Sequence, residues 1–370
     1  RCHPEFHDIE FPENFTLKWV TGAMAPESGF RGHLLRLLFA NYLGWKHRRE
    51  VLFGTSQLEV CFFHPHQVLM IHDVIPLLFK QFHHKQYYYF RYLIGYPLRR
   101  ARAILTPSCH TEMLLKDVYE VEPQRIRVIP HGIPTKDHQF SGEPSPSESE
   151  EPYILYVGRL SPMKNIRILL KAFARLKDRL PHRLIIAGDD EGFLQKEVAA
   201  GKLSREELDN ERIVWKNYVS NGEMLRLFQG ASLFVYPSLY EGFGLPPLDA
   251  MACGCPVVAS CAASLPEVCG DAARYVNPLD AEDVSETIYR VLTDEALRTN
   301  MIYRGYLRIA RYCWRSSAEQ HLEVLHTVLG TSEKGAAKPT SEADSTRSTT
   351  ATNETRSFTS RRSSRSAIHP

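Results

Sequence analysis

The run YPSLYEGFGLPPLDAMACGCPVVAS, residues 236–260, decides the fold. A β-branched and aromatic run, LFVYPS at 233–238, leads into it and ends at Pro237-Ser238. A glycine-punctuated turn follows, Glu241-Gly242-Phe243-Gly244-Leu245, and Pro246 and Pro247 then open a helix, because the first helical turn tolerates proline. PVVAS at 256–260 reads as the next strand. Strand, helix and strand in this order make a βαβ unit and a parallel sheet. Amide groups at the start of that helix, together with its dipole, form an anion site, and the two glycines let a phosphate or sugar approach the backbone closely. Glu241 stands just before the turn and Asp249 eight positions later on the helix. Carboxylates beside an anion need a different partner, and sugar or ribose hydroxyls are suitable donors. Phosphate and polyol together point to a nucleotide-sugar.

Outward from this run the same alternation recurs. YILYVG (153–158), RLIIAG (183–188), RIVW (212–215) and RYVNP (274–278) read as further strands, with amphipathic helical patterns between them, such as 165–180. Upstream, VLFGT (51–55), VLMIHD (68–73), AILTPS (103–108) and IRVIP (126–130) read as strands, and 30–46, 85–101 and 110–119 as helices. The fold class is therefore α/β, with two Rossmann-like domains of parallel sheet facing across a cleft, and ligands are expected beyond the carboxyl ends of the strands. The domains expected are 1–136, a linker at 137–152 rich in Pro, Ser and Glu, 153–305, and a last helical segment at 306–330 that crosses back. Residues 331–370 hold seventeen Ser or Thr and almost no large apolar residue, and they read as a solvated tail.

A second run, YVGRLSPMKN at 156–165, places Arg159 and Lys164 in one loop after a strand. A planar guanidinium fork and a lysine point charge suit a diphosphate leaving group. With GRLSPMKN, SLYEGFGLPPLDAMACGCPVVAS, SLPEVCGDAARYVNP (264–278), IHDVIPLLF (71–79), the 89–115 stretch and RIRVIPHGIP (125–134), the chain resembles retaining glycosyltransferases of family 4, the GT-B "group 1" enzymes. Within them it looks most like bacterial mannosyltransferase-type members that build surface polysaccharide. The resemblance spans roughly residues 20 to 330.

That resemblance implies a hexosyltransferase, with no metal and no cofactor beyond its nucleotide-sugar donor, of the GDP-mannose or UDP-glucose type. The acceptor would be a saccharide or a lipid-linked sugar. Glu241 would contact the donor sugar, and Asp249, where the family has a second Glu, would hold the ribose. Arg159 and Lys164 would bind the diphosphate with the backbone at Phe243, Gly244 and Leu245. Val219 and Met224 would frame the base. His72 and Asp73, at a strand end, would lie near the transferred sugar, with Ser108 and His110 on the acceptor side. Glu267 matches a family acid. Family members open with a strand and a Gly-rich loop; none is found before residue 20, so the first domain is read as lacking its opening βα unit. A nucleotide-sugar-binding homologue without transferase activity is the alternative reading.

Composition excludes other classes. Lys and Arg number 45 against 43 Asp and Glu, a formal charge of +2, which rules out a nucleic-acid-coating protein. No apolar run reaches the ~18 residues of a membrane span. The eight cysteines include no CxxC pair and read as reduced thiols of a cytoplasmic protein. His64, His66, His83, His84 and the Asp189-Asp190 pair read as structural or solvated rather than as metal ligands. The basic, leucine-rich segment 31–50 leaves two readings open, an ordinary packed helix or a peripheral contact with the inner membrane face. Nothing in the sequence specifies an oligomeric state.

Overall fold

A computed structural model describes residues 13–15, 24, 29–58, 60–134, 151–190, 192–208 and 210–330. Most of the proposed linker, the Ser/Thr-rich tail and nearly all of the chain before residue 29 lie outside the described residues. Among the described residues, ten short strands form two separate all-parallel sheets. The first contains β1 (Leu52–Gly54), β2 (Gln67–Met70), β3 (Ala103–Thr106) and β4 (Ile126–Val128), in that spatial order. The second contains β5 (Tyr153–Val157), β6 (Arg183–Ala187), β7 (Ile213–Lys216), β8 (Leu233–Tyr236), β9 (Val257–Ser260) and β10 (Ala273–Val276). Its spatial order is β10-β9-β8-β5-β6-β7. Strands covered on both faces read as β-branched and apolar; β2, β3, β5, β8 and β9 are buried along their whole length.

Helices cover both sheets. In chain order they are α1 (Gly29–Lys46), α2 (Ile75–Leu78), α3 (His84–Tyr88), α4 (Gly95–Arg100), α5 (Cys109–Tyr119), α6 (Ile166–Leu176) and α7 (Phe193–Ala199). Then come α8 (Arg205–Leu208), α9 (Asn221–Gly230), α10 (Leu245–Ala252), α11 (Leu265–Cys269), α12 (Ala281–Thr293), α13 (Glu295–Ile309) and α14 (Trp314–Leu329). The single helix expected over 85–101 is broken: a π-helical turn at Tyr89–Leu93 separates α3 from α4. In α6 the residues Ile166, Leu169, Leu170, Phe173 and Leu176 face the second sheet, as their spacing requires.

Two apolar clusters sandwich each sheet. One face of the first sheet packs Leu69, Ile71, Ile104 and Ile126 under Phe90, Leu98 and Leu115. Its other face packs Val68, Met70, Leu105 and Ile129 against Val324, Leu325 and Val328 of α14. The chain thus returns from the second sheet to finish the core of the first, and Ile133 bridges Cys313 where it does so.

The strand order fixes where a ligand can sit. In the second sheet β5 is central, β6 and β7 extend to one side, and β8, β9 and β10 to the other. Connections leaving β5 and β8 therefore diverge to opposite faces and open a crevice at their carboxyl ends. The loops that follow β5 and β8 are the 158–165 and 237–244 segments.

Candidate active site

These two loops are tied to each other at the crevice. The Leu239 amide donates to the Met163 carbonyl at 2.8 Å. Asn165, in the left-handed region with φ 55°, donates from its Nδ2 to the carbonyls of Pro237 and Pro278, at 3.1 and 2.6 Å. Ser264 donates to the carbonyls of Glu241 (2.9 Å) and Phe243 (2.8 Å), so a buried hydroxyl fixes the turn from below. Gly244, with φ 112°, caps α10. Pro246 and Pro247 carry no N–H, so the open amides at this helix start are those of Gly244 and Leu245.

The charged residues follow from this backbone. The Lys164 ammonium donates to Glu241 Oε1 at 2.6 Å and to the Tyr236 hydroxyl at 2.8 Å. Glu241 is buried and Lys164 half-buried. Hence the partner of Glu241 is a lysine from the neighbouring loop, where the sequence alone suggested only hydroxyl donors. Burial, and then the Glu241 charge, hold the Tyr236 phenol far above its ordinary pKa, so it stays protonated beside the pair. Arg159 is exposed in the loop after β5. Asp249 is half-buried on the second turn of α10. Val219 and Met224 flank the start of α9 and pack on the same core as Phe243 and Leu245.

The first sheet presents its own strand ends to this turn. A Cβ on Gly242 would meet the His72 carbonyl oxygen at 2.3 Å and the Asp73 Cβ at 2.9 Å, so only glycine fits where the two backbones pass. Ser108 is fully buried and its hydroxyl donates to the Gly242 carbonyl at 2.7 Å. The His110 ring lies 5.3 Å from that of Tyr240. His72, Asp73, Ser108, His110, Glu241 and Lys164 thus converge on one turn. Burial raises the pKa of Asp73, whose Oδ1 accepts from the Ile75 amide at 2.9 Å. His72 Nε2 faces the Thr55 carbonyl at 2.9 Å. A carbonyl only accepts, so Nε2 is the donor in this contact.

Two contributors, Tyr236 and His131, are not evident from the sequence. Tyr236 ends a fully buried strand, where no alternation separates a polar tip from a core ring. His131 lies 5.5 Å from His72, 5.2 Å from Phe243 and 5.8 Å from Trp314, ring to ring. Burial, helped by the neighbouring His72 and His321, lowers its pKa to about 4, so it is neutral at physiological pH. Glu267 accepts from the Cys109 and His110 amides at 2.8 and 3.1 Å, capping α5 from the other sheet's side. The Asp189-Asp190 pair has a structural use: Asp190 accepts from the Leu194 amide at 2.7 Å and starts α7.

Comparison with known proteins agrees with this architecture. Residues 137–308 match the family described as Glycosyl transferases group 1, and residues 50–137 match Glycosyltransferase Family 4. The chain is 39% identical over 173 residues to O-antigen chain mannosyltransferase B of Escherichia coli, covering 45% of this chain and 44% of that protein. It is 30% identical over 281 residues to O-antigen chain mannosyltransferase RfbU of Salmonella typhimurium, covering 73% of this chain and 75% of that one. The chain thus spans under half the length of the first relative and three quarters of the second. Among solved structures, Anabaena Alr3699/HepE in complex with UDP and glucose superposes with a TM-score of 0.64 at 18% identity, over 78% of this chain and 82% of that one. Two parallel sheets, a crevice at the strand-order reversal and sequence matches over both halves lead to one assignment: the chain belongs to glycosyltransferase family 4, with the GT-B fold.

Proposed function

We propose that the protein is a retaining, metal-independent hexosyltransferase that moves mannose from a nucleotide-sugar of the GDP-mannose type to a saccharide or lipid-linked acceptor. The observation that carries this reading is the Lys164–Glu241 pair at the carboxyl ends of β5 and β8. An acid for hydroxyl groups and a cation for phosphate stand there within one hydrogen bond of each other, beside the amides of Gly244 and Leu245.

In this reading Arg159, Lys164 and those amides receive the diphosphate, and Lys164 exchanges part of its contact with Glu241 for a phosphate oxygen. Glu241 then accepts from the sugar hydroxyls, and Asp249 from the ribose. Val219 and Met224 provide an apolar side for the base. Positive charge develops at the anomeric carbon as its bond to the diphosphate oxygen breaks. The acceptor oxygen bonds to that carbon on the same face, and its proton passes to the departing phosphate oxygen. His72 and Asp73 border the sugar, with Ser108 and His110 toward the acceptor.

The test combines binding and turnover. Titration with GDP, UDP, ADP, GDP-mannose and UDP-glucose, followed by thermal unfolding, identifies the donor; a ligand at about 100 times its Kd adds about 2.7 kcal/mol of stability. Stabilisation by one nucleotide series, lost in Arg159→Ala and Glu241→Ala, together with sugar transfer, is the expected result. Binding without transfer to any saccharide or lipid-linked acceptor would assign the non-catalytic alternative, to which Asp249 in place of Glu lends weight. No stabilisation by any nucleotide would overturn both.

A further inference from the structure

The crevice lies at the carboxyl ends of the strands. A second cavity, of about 270 Å³, opens elsewhere, between β4, the edge strand of the first sheet, and α14. Two of its lining residues stand at amino-terminal strand ends: Arg102 just before β3 and Arg125 just before β4. The facing wall is the later part of α14, from Gln320 to Val328. That helix starts at Trp314 beside His131, near the crevice, and carries the wall away from it.

The charge in this cavity is unbalanced. Arg102, Arg125 and Arg127 line it against one carboxylate, Glu323. Guanidiniums gathered around one small space repel each other, and an anion between them replaces that repulsion with attraction. The three heads are also anchored. Arg102 Nε donates to the Pro65 carbonyl at 3.2 Å. Arg127 Nη1 donates to the carbonyls of Gln124 and Ile126, at 3.0 and 3.1 Å. Arg125 donates from Nη1 to the Arg99 carbonyl at 2.6 Å and pairs through Nε with Glu122 at 3.0 Å. These bonds use one or two of the three nitrogens of each head, which leaves N–H groups for a ligand. A guanidinium already held in place gives up little further freedom when it binds.

Size and chemistry select the ligand. The cavity is smaller than the about 300–1,000 Å³ of sites that enclose drug-sized molecules. Planar guanidinium forks match phosphate oxygens in pairs. We propose that Arg102, Arg125 and Arg127 form a second anion site, for the phosphate or diphosphate group of a small molecule, separate from the nucleotide-sugar crevice. A ligand held there joins the amino-terminal side of β3 and β4 to α14, whose Val324, Leu325 and Val328 complete the core of the first sheet. Binding therefore stabilises the fold.

The probe is sodium pyrophosphate, titrated into the full chain during thermal unfolding, with ionic strength held at about 0.15 M by sodium chloride. A saturable rise in melting temperature is expected. Arg102→Gln/Arg127→Gln should weaken the apparent affinity about tenfold or more, because charged hydrogen bonds are lost. Its far-ultraviolet circular dichroism and its melting temperature without pyrophosphate should match the parent. Glu323→Gln removes the one repelling carboxylate and should tighten binding, a gain that a folding defect cannot produce. Pyrophosphate also suits the crevice, so Arg159→Ala is the counter-test, and the rise should persist in it. No rise beyond the chloride-matched control overturns the proposal. So does a rise of full size in Arg102→Gln/Arg127→Gln, weaker binding in Glu323→Gln, or a rise that Arg159→Ala abolishes, which would assign the pyrophosphate to the crevice.

Discussion

Lys164 and Glu241 are mutual counter-ions in a largely buried setting, and their energetics are asymmetric. Removing the lysine alone leaves a buried carboxylate without its cation, whereas removing both charges leaves neither exposed to that penalty. We expect Lys164→Met to cost about 2–4 kcal/mol of stability, and the double variant Lys164→Met/Glu241→Gln to cost less than this single one, in equilibrium denaturation. His131 sets a pH response. Its folded-state pKa, about 4, lies below the ordinary 6.5. The unfolded chain therefore takes up a proton between pH 6.5 and about 4 that the native state refuses, and stability falls as pH drops through this window. The loss attributable to His131 is on the order of 2–3 kcal/mol, and His131→Phe should flatten the pH dependence of the melting temperature by that amount while leaving the contributions of other histidines. Each charged partner of the site was visible in the sequence as a residue type, but Lys164 and Glu241 are 77 positions apart and their pairing was not. It follows from the side-by-side placement of β5 and β8, which no local pattern encodes.

Single elements were more legible than the contacts between them. All ten strands coincide with runs rich in β-branched or apolar residues, most fully where a strand is buried on both faces, as in β5 and β8. The helix expected over 85–101 failed for a definite reason: its apolar residues extend through YYYFRYL without a break, and a one-residue widening of the turn at Tyr89–Leu93 resets which side faces the core. A cap is similarly invisible to periodicity. The Glu120 amide closes α5 onto the Leu115 and Lys116 carbonyls with φ 54°, a conformation that favours glycine. Glu120→Gly should therefore raise stability by up to about 1 kcal/mol, read as a small increase in melting temperature.

At the scale of the whole molecule, hydrogen bonds and ring contacts among the described residues join the halves at the crevice, and α14 joins them behind it. Ser108 and Glu267 connect the α5 start to the 236–245 turn and to α11. Glu267→Ala should loosen the junction without unfolding either sheet, detected as faster proteolysis with little change in far-ultraviolet circular dichroism. Behind the crevice the backbone at Gly132 runs against α14. A Cβ there would lie 2.1 Å from the Trp314 nitrogen, a backbone atom that cannot yield. Gly132→Ala should cost at least about 1–3 kcal/mol, measured by denaturant unfolding.

The return of α14 also has a consequence for biosynthesis. Val68, Met70, Leu105 and Ile129 emerge from the ribosome early, yet the side chains that cover them, Val324, Leu325 and Val328, follow about 195 to 260 residues later. At translation rates of about 5–20 residues per second, that apolar sheet face waits roughly 10–50 s for this cover. The core of the first half is therefore completed only after the second half has been synthesised.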